Sequence, residues 1–257
     1  LAARVALFQN KMTDAANYAE AVLANSSFSL ASTAMDFSKN WVAGSSSPEI
    51  IFAYVNNSRA SSPLNFTLYV NDTDGSWNYA PSDWCYNSLF ADDNTLSRKG
   101  DVRLKATFTS QDANRVIKYP NGTYQLAETS DYTCTPVVIS RISEMYLIKA
   151  EALGKTNGAA ALVEYMKKRY TTAPSEAAIK ALSDKEYQTL ILDERRREFY
   201  AEGMRWQDIK RTNRLELLET LDGRTYLMYY PIPQDEIDMA GTVAYPQNPG
   251  YAGYTGN

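Results

Sequence analysis

The chain contains no histidine. That absence removes the commonest general base and the commonest metal ligand, so histidine-dependent triads and histidine zinc sites are excluded. Cysteine is almost as scarce. Cys85 and Cys134 are the only two, they have no metal-ligand spacing, and they fit either one disulfide or two buried thiols. Neither sign of charge prevails: 26 basic residues stand against 30 acidic ones, which advertises neither a nucleic acid nor an anionic membrane as partner. No apolar run approaches the roughly 20 residues needed to span a bilayer, and no glycine-rich phosphate loop is present. A secretion leader is missing too, and Leu1 stands inside a helical pattern, so the expectation is a processed piece whose leader lies elsewhere.

What is present is organised around residues 190 to 211. Ser183, followed three residues later by Glu186, is a capping-box signature, which predicts a helix from Asp184 toward Gly203 and a short second helix beyond it. On a 3.6-residue period Leu190 or Ile191, Glu194, Glu198 and Glu202 share one face. Three carboxylates on one face need cationic partners, and Arg195, Arg197, Arg205 and Arg211 are the available guanidiniums, each able to hold a carboxylate through two hydrogen bonds. The block reads as an ionic lock joining two helices at a bend. A catalytic carboxylate pair or a nucleic-acid patch is the rival, disfavoured because acids and bases interleave and neither sign has a free surface.

Elsewhere the helical parts come in pairs. Leu1, Val5, Phe8 and Met12 keep one helical phase, Asn10-Lys11 marks a turn, and Thr13 caps a second helix whose Ala16, Ala19, Val22 and Leu23 face inward. A second pair is predicted at 140–154 and 158–170, with Ala150, Ala152, Ala159, Ala160 and Ala161 as small contact faces. Such pairs follow the tetratricopeptide style of packing. Residues 31–139 lose helical phase and read as an irregular, partly β insertion. Within it, residues 49–55 predict a strand with Ile51 and Ala53 on one side and Phe52 and Tyr54 on the other, and 116–119 with 124–126 predict a hairpin through Asn121-Gly122. Pro81-Ser82-Asp83 starts a helical element in which Trp84, Asn87, Ser88 and Ala91 follow helical spacing, a fold-forming reading of Trp84 and Tyr86. After Arg214, a helix to Leu221 carries Leu215, Leu218 and Leu221 on its core face, Asp222-Gly223 turns the chain, and Tyr226 to Tyr230 extends toward Pro231 and Pro233.

The binding chemistry is predicted in the insertion. Tyr69, Asn71, Asp72, Asp74, Trp77, Asn78 and Tyr79 set aromatic rings beside amides and carboxylates, and a sugar needs both: flat platforms for its C–H faces and bidentate groups for its hydroxyls. The competing reading is that Trp77 and Tyr79 plug the insertion onto the helices. Trp41 and Tyr54 are weaker platform candidates. Asp72-Thr73-Asp74-Gly75 lacks the further acids and closing glutamate of a calcium loop, so no metal site is assigned. No catalytic residue and no cofactor is predicted.

Four stretches in order resemble one family. The run Asp193 to Arg211 (E-R-R-x-E-F-x-x-E-G-x-R-W-x-D-I-K-R) resembles the C-terminal signature of SusD-like (RagB/SusD) proteins. Residues 141–152 resemble their R-x-x-E-M-Y-L-x-x-A-E-A helix, Tyr230 to Ile237 their P-I-P-x-x-E-I exit, and Gln247 to Tyr251 their Q-N-P-G-Y ending; Arg98 to Arg103 resembles the family's D-x-R turn, a structural element. Met239-Ala240 departs from the Asn-Pro that the family usually places there. The resemblance implies a mainly α fold, an α-α superhelix of tetratricopeptide-like pairs with residues 1–30 and 140–257 as scaffold and 31–139 as a glycan-facing insertion, together forming a single domain. It further implies a surface-exposed, non-catalytic outer-membrane lipoprotein of Bacteroidetes that binds glycan for a TonB-dependent (SusC-like) transporter, with its lipid anchor and N-terminal lobe outside this chain. A tetratricopeptide-like protein-interaction scaffold and a glycoside hydrolase using carboxylates of the insertion are the alternatives.

Overall fold

The computed structural model describes residues 1–42, 47–55, 80–109, 115–119, 135–218, 221–240 and 246–252. It is mainly helical, and its residues gather into two compact units, Leu1–Glu202 and Gly203–Asn257.

In the first unit, α1 (Ala2–Phe8) and α2 (Met12–Leu23) form a helical hairpin turned at Asn10, which takes φ 59°. The alanines do face inward: Ala3, Ala6 and Leu7 of α1 and Ala15, Ala16 and Ala19 of α2 are buried. The larger phase of α1 points the other way, with Leu1, Val5 and Phe8 exposed, because small side chains are what allow two helix backbones to approach. Lys11, not Thr13, takes the N-cap position of α2. The helix α3 (Ala34–Ser38) is capped by Thr33, whose hydroxyl accepts from Asp36 N. β1 (Ile50–Tyr54) keeps the predicted strand. After a π-helical turn at Cys85–Leu89 come β2 (Lys99–Asp101) and α4 (Val102–Thr107), the latter begun by Asp101, whose carboxylate accepts from Arg103 N.

β3 (Val137–Arg141) is the antiparallel partner of β1, in a register that shifts between Ile50 and Ala53. It leads straight into α5 (Ile142–Arg169), and Ile142 N donates to Glu49 O at 2.8 Å. α5 is two helices in sequence, broken where Gly154 adopts φ 66°, ψ 175°. Across that break Gly158 meets Ala150: a Cβ at Gly158 would lie 2.2 Å from Ala150 O and 2.9 Å from the Tyr187 hydroxyl, which itself donates to Ala150 O at 2.8 Å. Gly158→Ala therefore forces the two arms apart. We expect it to cost about 1 to 3 kcal/mol, the usual penalty of overpacking, read as a lowered midpoint in a urea melt.

β4 (Tyr170–Thr172) pairs with β2, and α6 (Glu176–Ala181) precedes α7 (Asp184–Glu198). The capping box opens α7 as expected, with Ser183 Oγ accepting from Glu186 N and Glu186 Oε2 accepting from Ser183 N. The helix stops at Glu198, four residues short of Glu202. α7 packs on α5, which packs on α2. Of the predicted hairpin, the described half is 116–119, where Val116 bridges to Phe108; residues 124–126 lie outside the described residues. Cys85 is a buried free thiol, and Cys134 also lies outside them.

The second unit opens with α8 (Met204–Thr212), whose Ile209 is buried with Leu221 and Met228. The helix expected after Arg214 is only a 3-10 turn at Leu215–Leu217, although Leu215 and Leu218 do pack against that cluster. Asp222 and Gly223 make the predicted turn at positive φ. Thr225–Met228 is a 3-10 turn where extended chain was expected, because the preceding turn is answered by i→i+3 bonds such as Tyr229 N to Tyr226 O. α9 (Gln234–Met239) follows. The Q-N-P-G-Y ending is tied to the P-I-P run: Gln247 accepts from Ile232 N and donates to Ile232 O at 2.7 and 2.8 Å, and Asn248 Nδ2 donates to Tyr230 O at 2.8 Å.

Candidate functional site

Glu194 and Glu198 stand one helical turn apart on the buried face of α7. Glu198 Oε1 accepts from Arg141 Nη1 at 2.5 Å and Arg169 Nη2 at 2.9 Å. Its Oε2 accepts from the Tyr165 hydroxyl at 2.7 Å, Arg169 Nε at 2.9 Å and Arg103 Nη1 at 3.3 Å. Glu194 accepts from Arg103 Nη2, Arg197 Nη1 and the Tyr170 hydroxyl. Glu49, brought in by the end of β1, takes Arg141 and Arg169 as well as the Ala31 amide. At the edge, Glu202 holds Arg141 at 2.7 Å and Lys118 at 2.6 Å.

The carboxylates of the expected lock are thus confirmed and most of its partners corrected. Arg103, Arg141 and Arg169 come from far upstream, and of the four local arginines Arg197 joins through Glu194. Arg211 instead holds Asp208 and Arg205 donates to Leu217 O, both within the second unit, while Arg195 is buried over the Phe199 ring. The helix ends before Glu202, so a helical period could not place that residue.

Burial alone would raise the Glu198 carboxyl, but Arg169, Arg141 and Arg103 outweigh it and hold its pKa well below the ordinary value. Glu194 is lowered in the same way, burial being overcome by Arg103 and Arg197. Burial pushes the Lys118 ammonium down to about 8 against the pull of Glu202. Two fully buried carboxylates with lowered pKa values and with their oxygens occupied by arginine and tyrosine donors are poorly placed to act as proton donor and base on a substrate. The cluster is internal architecture.

The seven residues chosen for binding, Tyr69, Asn71, Asp72, Asp74, Trp77, Asn78 and Tyr79, lie outside the described residues. Of the weaker platforms, Trp41 is only 1 % exposed, and it packs at the edge of Phe37 with the Lys118 ammonium 4.5 Å from its ring centre. That excludes it as a platform. Tyr54 is 60 % exposed and meets Phe52, 45 % exposed, edge to face at 5.2 Å. The i, i+2 alternation already placed the two rings on one side of the strand, which was the signal that Phe52 belonged with Tyr54.

Trp84 corrects another expectation. It is 38 % exposed, with the Arg196 guanidinium over its ring at 4.2 Å, while Cys85, Leu89 and Phe90 turn inward. Trp84, Asn87 and Ser88 do share a face, as their spacing predicted, but that face is the exposed one. A groove of about 540 Å³ runs between the 93–98 turn and α7, lined among others by Asp93, Leu96, Arg98, Lys185, Leu190 and Asp193. No sequence pattern marked it, since its walls are more than 80 residues apart in the chain.

The sequence model of the SusD family matches residues 90–224. The chain is 30% identical over 142 residues to SusD-like protein P38 of Formosa agariphila, a stretch that is 50% of this chain and 27% of that protein. A SusD superfamily protein from Bacteroides thetaiotaomicron superposes with a TM-score of 0.63 at 23% identity, covering 96% of this chain and 58% of the other. Surface glycan-binding protein A from Bacteroides thetaiotaomicron, solved in complex with laminarihexaose, gives 0.58 at 21% identity over 96% of this chain and 62% of its own. The chain therefore spans less than two thirds of the length of these relatives.

Proposed function

The chain belongs to the SusD family, and from that premise we propose that it binds a glycan at the bacterial cell surface and passes it to a TonB-dependent outer-membrane transporter, performing no chemistry of its own. The observation that carries this reading is the exposed pair Phe52 and Tyr54, two neighbouring rings held edge to face on β1. Large rings left in water side by side are unusual unless a ligand covers them, and ring faces suit the C–H faces of sugars. The laminarihexaose held by the structural relative supports the same class of ligand.

In this reading Trp77 and Tyr79 stack on the sugar, Asn71, Asp72, Asp74 and Asn78 take its hydroxyls, and Tyr69 and Tyr54 extend the platform. No described helix is long and apolar enough to cross a membrane, and attachment through a lipid outside this chain is the matching proposal. Affinity for single oligosaccharides is on the order of micromolar to millimolar, because a shallow site buries little area. Affinity electrophoresis against a panel of polysaccharides tests it. Retention without release of reducing ends is expected, with Trp77→Ala, Tyr79→Ala and Tyr54→Ala each weakening it about two- to tenfold. Wild-type migration of all three variants on a retained glycan removes the proposed site, and release of reducing ends replaces it with the hydrolase.

A further inference from the structure

The 93–98 turn folds back on itself, Asp93 and Arg98 exchanging backbone hydrogen bonds at 2.8 Å. That bridge holds Arg98 against the body of the unit, only 4 % exposed, with its guanidinium 5.0 Å from the centre of the Tyr170 ring. Its hydrogen bonding is incomplete there. Nη2 donates to Ala91 O at 3.0 Å and Nε has no acceptor, and among the described residues no carboxylate makes an ion pair with it. The neighbouring Glu194 carboxylate feels the Arg98 charge, which helps to lower its pKa, while its hydrogen bonds go to Arg103, Arg197 and Tyr170. A buried guanidinium whose Nε has no acceptor is an incomplete arrangement. Arg98 also lines the groove along α7.

The rest of the lining says what could complete it. Lys185 stands on the facing wall, at the exposed first turn of α7. Asp93 accepts the Thr95 and Leu96 amides through Oδ1, and Glu186 the Ser183 amide through Oε2, which leaves each a second oxygen for a hydroxyl donor. Leu96, Leu182 and Leu190 give apolar floor. A site for free phosphate would turn backbone N–H groups and cations toward it rather than carboxylates, and a site for an apolar side chain would carry few charges. Acceptors for hydroxyls, an apolar floor and one under-partnered guanidinium suit a polyhydroxylated ring carrying a single oxyanion, and about 540 Å³ is within the range of small-ligand sites.

We propose that this groove is a second sugar subsite, apart from the aromatic pair on β1, which selects an acidic residue of the glycan, a uronate carboxylate or a sulfate ester, through Arg98 with Lys185 at its rim. The proposal rests on the glycan-binding reading above and adds the charge of the ligand to it.

The experiment is calorimetric titration of the whole chain with three oligosaccharides of equal length: neutral, uronate-containing and sulfated. The acidic ligands should bind about tenfold more tightly than the neutral one, with the advantage shrinking as salt rises, and the better of the two identifies the oxyanion. Arg98→Gln and Lys185→Glu should each erase the preference while leaving neutral binding as it was. Circular dichroism reports whether Arg98→Gln folds; Lys185 is exposed, so its variant carries the test alone if Arg98→Gln does not. Neutral and acidic ligands binding equally, or a preference that survives Lys185→Glu, overturns the subsite and leaves the glycan-binding reading standing. Binding of none of the three overturns both.

Discussion

Glu198→Ala lowers the unfolding free energy by about 3 to 5 kcal/mol, the expected cost of removing one partner from a buried ion cluster. The side chain is the hub at which Arg103, Arg141 and Arg169 meet, so truncation leaves three guanidiniums without their shared carboxylate in a place that water does not reach. The magnitude belongs to that unbalanced charge more than to the contacts themselves. A buried ion cluster gains little over a well-packed apolar one, because dehydrating its members costs nearly what their attraction returns. The comparison variant is Glu198→Gln, which keeps the shape and two hydrogen-bonding atoms and should recover part of the loss. Urea melts of the two variants and wild type measure it, and a shift under about 1 kcal/mol for Glu198→Ala contradicts a closed, water-free cluster.

Acid should unfold the protein through the same residues. Glu198 and Glu194 have folded pKa values below their ordinary ones, so the folded state resists taking up protons that the unfolded chain accepts. Their stabilisation is present in full above the unfolded carboxyl value near 4.5 and is lost as pH falls through that value toward the folded pKa. Below it, each such carboxylate costs about 1.4 kcal/mol per pH unit. The alkaline side has the opposite sign at one residue. Lys118 sits at about 8 against an unfolded 10.5, so stability gains from this group between those values. Tyr165 and Tyr170, raised by burial, withdraw stability above pH 10. Urea midpoints from pH 3 to 10 should therefore fall steeply below pH 4.5, and Lys118→Met should flatten the rise above pH 8. A flat acid limb contradicts the ionised state assigned to Glu194 and Glu198.

Local chemistry made much of the helical framework readable. Ser183 with Glu186 announced α7 to the residue, Gly154 announced the break in α5, and the alanines of α1 and α2 announced a close helical contact. Each depends on neighbours within one turn. The partners of the glutamates were not readable, because Arg103 and Arg141 lie 95 and 57 residues before Glu198 and no periodicity links them. Trp84 was misplaced because the face it shares with Asn87 and Ser88 was read as the inner one, whereas Cys85, Leu89 and Phe90 are the residues turned inward. Arg98 looked like one more turn arginine, and only the scarcity of acceptors around it sets it apart. Trp41 and Tyr54 were indistinguishable as sequence, yet one fills the interior and the other faces water.

The span of the ion cluster bears on how the chain comes off the ribosome. Arg169 reaches back 138 residues to Ala31 O and 120 to Glu49, and then waits 29 more for Glu198. A nascent chain released before α7 has emerged holds Arg141 and Arg169 with Glu49 alone and lacks Glu194 and Glu198, so its buried charges are incompletely balanced. Synthesis and compaction are therefore coupled late, in a step whose slow long-range closure exposes the unfinished body to aggregation.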